Sequence, residues 1–226
     1  MMRRADYRDE AGLSLVEILV TMVILGVVLS ALTAGAISMN RASYATDLGT
    51  RNQNEARTAI AVLSRDIRAA SPVRPSTQPA FLVARPDEAN FTANLDDGTR
   101  PRLVRLFIDG DSRLVEDATP ADPASDPATG LTWDTDNDAV IRFIAAFVVN
   151  DASRPLFRYL DLNGAELPYS TTACAGPAGN VAPPCLTESD LRRVATVELS
   201  LTVDSDPNAR VQPFTVTQRV RLPNAT

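Results

Sequence analysis

Residues 12–40 read GLSLVEILVTMVILGVVLSALTAGAISMN, and the reading of this run decides what kind of chain follows. From Leu13 to Asn40 the one charged side chain is Glu17, and the 23 residues from Ile18 to Asn40 carry no charge at all. As a helix those residues span ~35 Å, long enough to cross the hydrocarbon of a bilayer. Upstream, residues 1–12 (MMRRADYRDEAG) are short and charged, with Arg3, Arg4 and Arg8 offset by Asp6, Asp9 and Glu10. Orientation follows basic residues rather than net charge, so Arg3 and Arg4 are expected on the cytoplasmic side and the rest of the chain outside.

Two plain readings compete for this segment: a secretory signal cut near Ala34-Gly35-Ala36, and a simple signal anchor. Neither accounts for Glu17. A carboxylate near the start of an apolar span costs several kcal/mol unless it has a partner, which marks it as functional. Cleavage at Ala36 also conflicts with a helical pattern that runs straight through it. Gly12-Leu13-Ser14-Leu15-Val16-Glu17 followed by an unbroken apolar stretch resembles the cleavage and methylation motif of type IV pilins and type II secretion pseudopilins. The resemblance implies that a prepilin peptidase cuts after Gly12, that Leu13 becomes the methylated N-terminal residue, and that Glu17 is the acid at the fifth mature position. Leu13 replaces the commoner Phe and Ser14 the frequent Thr. The helix lacks the proline many members carry.

Under that resemblance the apolar helices bundle in a filament core, and Glu17 pairs with the N-terminal amine of a neighbouring subunit. Such a desolvated pair specifies register strongly, because breaking it strands one buried charge. Gly26 and Gly35 lie inside the helix, where each costs up to about 1 kcal/mol in propensity. They read either as notches for close helix packing or as points of local softness.

Residues 41–72 continue as a one-sided helix. Apolar or small residues recur at Ala45, Leu48, Ala56, Ile60, Leu63, Ile67 and Ala70, the spacing of one helical face. Ser71-Pro72 ends it. Residues 73–226 are β-rich. Leu103–Ile108 and Arg113–Glu116 flank Asp109-Gly110 as a hairpin, and Leu156–Leu162 enters Asn163-Gly164 and returns towards Leu167 and Tyr169. Ile141, Phe143, Ala145, Phe147 and Val149 form an apolar face with Arg142 opposite. Ala195, Val197, Leu199, Leu201 and Val203 alternate with polar residues, as do Phe214, Val216, Val220 and Leu222. One-sided strands belong to antiparallel sheets with one face covered, and the stripe of residues 45–70 is the natural cover. The expectation is an α+β pilin fold, a long N-terminal helix on an antiparallel head. The long hairpin at Tyr159–Gly164 and the closing strand pair (Val194–Val203, Phe214–Leu222) also resemble larger minor pilins and J-type minor pseudopilins. Segment 118–130 (ATPADPASDPATG) reads as a mobile loop.

Cys174 and Cys185, ten residues apart in a Pro/Gly-rich stretch with no histidine in the chain, make a poor zinc site. A disulfide in an extracytoplasmic compartment is the preferred reading, and two free buried thiols the alternative. Net charge is −6, and all 22 basic residues are arginine. Beyond Ser38 there are 24 acidic and 19 basic residues, a poor footprint for nucleic acid. Asp134, Asp136 and Asp138 alternate as in the first half of a calcium loop. Ala139 and Ala145 stand where an EF-hand needs glycine and glutamate, so a solvated acidic turn is favoured. Trp133, Tyr159 and Tyr169 are candidates for a binding patch or for packing. No catalytic residue, metal ligand or cofactor site is selected. The expected role is a non-enzymatic assembly subunit, a minor pilin or pseudopilin at or near a filament tip. Its expected partners are a prepilin peptidase, other pilin or pseudopilin subunits and the inner membrane, which it crosses once with the head periplasmic. The alternatives are a stalked adhesion or DNA-uptake module and, behind it, a membrane-anchored enzyme.

Overall fold

The computed structural model describes residues 14–73, 78–94, 100–126, 128, 131–133, 139–176, 179–206 and 211–223. The helix α1 spans Leu15–Arg68. Ser14 caps it: its carbonyl accepts from the amides of Glu17 and Ile18 at 3.0 and 3.2 Å, and its hydroxyl accepts from Glu17 N–H at 3.2 Å. Ser14-Leu15-Val16-Glu17 thus has the Ser-x-x-Glu spacing of a capping box. At the far end Arg65 and Arg68 complement the dipole, and the chain leaves the helix at Ala69–Ala70, just before Pro72.

The chain divides into two compact units, Met1–Asp47 and Leu48–Thr226. In the first, the described residues are helical from Leu15 onward and almost all exposed. Its hydroxyls are absorbed by the helix itself: Thr21, Ser30 and Thr33 each donate to a carbonyl one turn back at 2.8 Å. That back-bonding lets polar side chains sit in an apolar surface.

In the second unit, Leu48, Ala56, Ala59, Ile60, Leu63 and Ile67 of α1 are buried, as the periodicity requires. A five-stranded antiparallel meander is built from β1 (Phe81–Ala84), β2 (Glu88–Ala93), β3 (Arg102–Ile108), β4 (Leu114–Pro120) and β5 (Val140–Ala145), in that spatial order. There follow β6 (Phe157–Leu160), the small pair β7 (Cys174–Gly176) and β8 (Gly179–Val181), a short helix α2 (Glu188–Leu191), and β9 (Thr196–Val203) with β10 (Phe214–Arg221). The second sheet has the order β10-β9-β6. One core joins Leu63 and Ile67 to Phe81, Phe91, Leu106, Phe157, Tyr159 and Leu199. The α+β expectation holds, with the helix on antiparallel sheets.

Particular expectations fare differently. The Asp109 turn is present, its carboxylate accepting from the amides of Asp111 and Arg113 at 2.9 Å each. The β9–β10 pair is in register from Thr196↔Arg221 to Val203↔Phe214. The Asp161–Ala165 turn is present too, with Gly164 at φ +79°. Its return leg makes one bridge, Leu160↔Glu166, with Leu167 N–H donating to the Tyr159 carbonyl at 2.8 Å, while β6 pairs with β9 on its other edge. Segment 118–130 is not simply a loop: Ala118–Pro120 complete β4, and Ala121 bridges Trp133.

The largest correction concerns β5. Ile141 and Phe143, expected to face inward, are 64% and 62% exposed, while Ala145 is buried. Arg142, its side chain 44% exposed, reaches from the other face of the strand, its guanidinium bonded to Glu116 and 3.4 Å from Asp66 of α1. A bulge between Leu114 and Val115 shifts the register, which returns Ala145 to the core. Asp66, the α1 carboxylate that Arg142 approaches, has no solvent exposure in its side chain, and its pKa is pushed to about 6, first by burial and then by Glu116, against Arg142 and Arg65.

Two predictions follow from this core. Asp66 has a folded pKa near 6 against an ordinary 3.8, so its protonation favours the folded state. That contribution is complete below about pH 4 and is lost as pH rises through about 6, to a limit of ~3 kcal/mol. Thermal unfolding of the detergent-solubilised Asp66→Asn protein should therefore show stability relative to wild type rising between about pH 4 and 6 and levelling off above; a constant difference would refute the assignment. The Cys174–Cys185 disulfide, with Cα atoms 6.1 Å apart, closes a short loop and should contribute ~3 kcal/mol. A double serine variant should lose about that much, and reductant should destabilise wild type but leave the variant unchanged.

Candidate functional site

The N-terminal motif is the feature with the most unusual chemistry. Gly12 and Leu13, the expected processing and methylation positions, lie outside the described residues. Ser14 and Glu17 are described, both exposed, in the first turn of α1. Glu17 is the third residue of the helix, where a carboxylate complements the partial positive charge of the free N–H groups.

Around it the surface is apolar on every side. Leu15, Val16, Met22 and Leu32 are 80%, 69%, 69% and 64% exposed, and the most apolar 18-residue window has a mean hydropathy of 2.6 with none of it buried. A surface this long and apolar needs lipid or other helices to cover it. Within that cover a lone carboxylate needs a cation or a hydrogen-bond donor. Gly26 and Gly35 meet nothing within 4 Å where a Cβ would stand. Their own chain makes no use of the space, so any close packing they serve is with another molecule.

Elsewhere, sequence-selected residues serve structure. Cys174 and Cys185 form the disulfide, both buried, and Ser170 N–H donates to the Cys185 carbonyl at 2.7 Å. Tyr159 is fully buried with its ring edge-on to Tyr169 at 6.3 Å; burial raises both phenol pKa values. They are core packing rather than an exposed binding patch. Asp134, Asp136 and Asp138 lie outside the described residues, and among the described residues no three or more acidic, cysteine or histidine side chains converge as metal ligands.

A cavity of about 270 Å³ is lined by Arg85, Asp87, Asn150, Asp151 and Leu156 among others. Its polar groups are engaged locally. Arg85 pairs with Asp87 at 3.3 Å, and Asn150 donates to the Ser200 carbonyl and accepts from Thr202 N–H. Asp151 is held at a pKa of about 2 by the Ser153 hydroxyl, Arg154 and nearby amides. Sequence reasoning did not find the buried polar side chains Asn52, Ser64 and Asp66 on α1. Asn52 accepts from the Ser205 hydroxyl and amide at 2.6 and 3.3 Å. Their one sequence signal was position, since they interrupt an otherwise apolar stripe.

Comparison with known proteins bears on the first of these regions. Residues 7–33 match the family described as the prokaryotic N-terminal methylation motif. No curated protein and no solved structure matches the chain. The matched stretch contains Gly12, Leu13, the Ser14 cap, Glu17 and the exposed apolar run as far as residue 33. The chain carries the prepilin-type N-terminal methylation motif of type IV pilin-like proteins, which implies processing by a prepilin peptidase and assembly with other pilin subunits.

Proposed function

We propose that the chain is a structural subunit, a minor pilin or pseudopilin, that acts by assembly rather than catalysis. The observation that carries this reading is Glu17, the one charge on a fully exposed apolar helix inside the matched motif. Prepilin peptidase cuts after Gly12, and Leu13 becomes the methylated N-terminus. Residues 13–40 anchor the subunit in the inner membrane as a single span, with residues 73–226 outside. The Cys174–Cys185 disulfide supports an extracytoplasmic location for that part.

On leaving the membrane, the apolar surface of residues 15–40 is covered by neighbouring helices. Glu17 then meets the amine of an adjacent subunit, in a layer where the strength of the pair reflects the low dielectric. The irregular outer part, with a cysteine-closed loop and three separate sheets, supports a place at or near a filament tip. A bulky unit of that kind is better accommodated at an end than in a close-packed repeat.

Co-expression with a prepilin peptidase should give a mature protein whose intact mass lacks residues 1–12 and carries one added methyl group. A mature N-terminus following Ala36 would refute the reading. Glu17→Val should still be cut, because the scissile bond lies five residues away and the apolar helix still inserts. Incorporation into a filament or tip complex should fall by several hundredfold, the equivalent of the roughly 3–5 kcal/mol lost when one side of a buried pair is removed. Glu17→Gln, which keeps shape and some hydrogen bonding, should be milder. Co-purification of Glu17→Val with its partners at the wild-type level would exclude the paired role.

A further inference from the structure

Two acidic side chains share one cation where α1 meets the edge of the five-stranded sheet. Asp66 of α1 and Glu116 of β4 are both buried, and both reach the guanidinium of Arg142 on β5. The Arg142 side chain is half in water, so one partly screened positive charge stands against two buried acids. The other groups around the pair add little. Arg65 of α1 lies 3.7 Å from Asp66 Oδ1 with its own side chain mostly exposed. From β3 the cross-strand neighbour of Glu116 is Leu106, buried and uncharged. Glu55, another α1 acid that reaches this sheet, is engaged by the Ala146 amide instead.

With both acids ionised, the cluster would hold an uncompensated negative charge and a stranded oxygen. Asp66 Oδ1 is buried without a hydrogen-bond partner among the described residues, and a buried charge lacking such partners is costly. A single proton removes the conflict. Asp66 and Glu116 lie within hydrogen-bond reach of each other, so a protonated carboxyl can donate to its neighbour and leave one carboxylate for one guanidinium.

The surroundings decide where water would enter once that proton is gone. On the core side Leu63 and Ile67 of α1 and Leu106 and Leu114 of the sheet are fully buried. On the other side stands β5, the last strand of its sheet, whose ladder partner is β4 alone and whose residues Val140–Phe143 are exposed. Just past its far end the chain is pinned by the Ala146 amide on Glu55, by Val148 N–H on the Ser112 carbonyl at 2.8 Å, and by the Val148↔Val203 bridge. The bulge opposite Leu114 and Val115 separates that pinned end from the end that carries Arg142, and a bulge is where a strand bends. Moving residues 140–143 is therefore the smallest displacement that brings water to Asp66.

We propose that Asp66 and Glu116 hold one proton between them, and that its loss frees the Val140–Phe143 end of β5, making the trio a proton-operated latch between α1 and the sheet edge. With the proton in place, Arg142 and one carboxylate close the latch. Without it, β5 swings at its bulge and the second carboxylate is hydrated. The latch needs no assumption about the N-terminal motif and stands or falls apart from it.

The test is hydrogen exchange of the full chain in detergent micelles at a series of pH values, each rate divided by the intrinsic rate at that pH to give an opening constant. An opening that exposes Asp66 takes its pH dependence from the ordinary value of 3.8 and the folded value of about 6. The opening constant of the β5 amides should rise by about twentyfold between about pH 4.5 and 6.5. At every pH β5 should open more readily than β9, whose side chains lie in the core. The β7 and β8 amides, whose local opening leaves Asp66 covered, should keep a constant value. Asp66→Asn should abolish the rise at β5. Glu116→Gln should move it to lower pH, because Asp66 loses its negative neighbour and keeps Arg142 to itself; a Glu116 that served packing alone would leave the midpoint in place. An opening constant at β5 that ignores pH would overturn the proposal. So would equal opening of β5 and β9 at every pH, since Asp66 would then be reached by global unfolding, or a midpoint unmoved by Glu116→Gln. The comparison of β5 with β9 and with β7–β8 uses the wild-type chain alone, so it decides the matter even where a variant does not fold.

Discussion

Asp66 lies on the buried face of α1 with no access to water, and the arrangement around it constrains much of the second unit. Arg142 reaches in from β5, and Glu116 on β4 shares its guanidinium. Strand side chains alternate, so Arg142 stands on one face of that strand and Ile141 and Phe143 on the other. The bulge opposite Leu114 and Val115 is the adjustment that brings Ala145 back to the core afterwards. Asp66 is thus met by an edge strand that also carries a bulge and exposed apolar side chains.

Glu17 presents the same physical problem with a different solution. Its helix offers no arginine one turn away; the nearest helical charges on the C-terminal side begin at Arg41. What the chain supplies locally is the helix N-terminus, whose free amides favour a carboxylate by a few tenths to about 1 kcal/mol. That is small against the several kcal/mol of desolvation on entering an apolar environment. The remainder has to come from another molecule. Asp66 is answered within the fold, and on the proposed reading Glu17 is answered by assembly.

Much of the fold was legible because hydrophobic period is a strong signal where one face of an element is buried. The α1 stripe from Leu48 to Ala70, the β9–β10 alternation and the turns at Asp109 and Asp161 all follow from local spacing and turn chemistry. What was not legible depended on non-local choices. Strands β1 and β2 are short, and the Phe-Leu-Val-Ala of β1 is buried at every position, so it has no period to read. The pairing of β6 with β9 joins strands nearly forty residues apart in sequence. The contact of Arg142 with Asp66 could not be read at all without knowing that Asp66 is buried. In the N-terminal motif, by contrast, nothing non-local was needed: glycine, a capping serine, a glutamate at fixed spacing and an uncharged run are all adjacent.

The exposed surface of residues 15–40 presents apolar area that water disfavours, and it carries one carboxylate, Glu17, that no cation answers among the described residues. Apolar area alone is indiscriminate, since any apolar partner of adequate shape would do. A single carboxylate set in that area changes the selection. A partner without a cation leaves it desolvated and unpaired, a penalty of several kcal/mol, while a partner with a cation at the right place avoids that penalty. Affinity then comes from the area and discrimination from the charge.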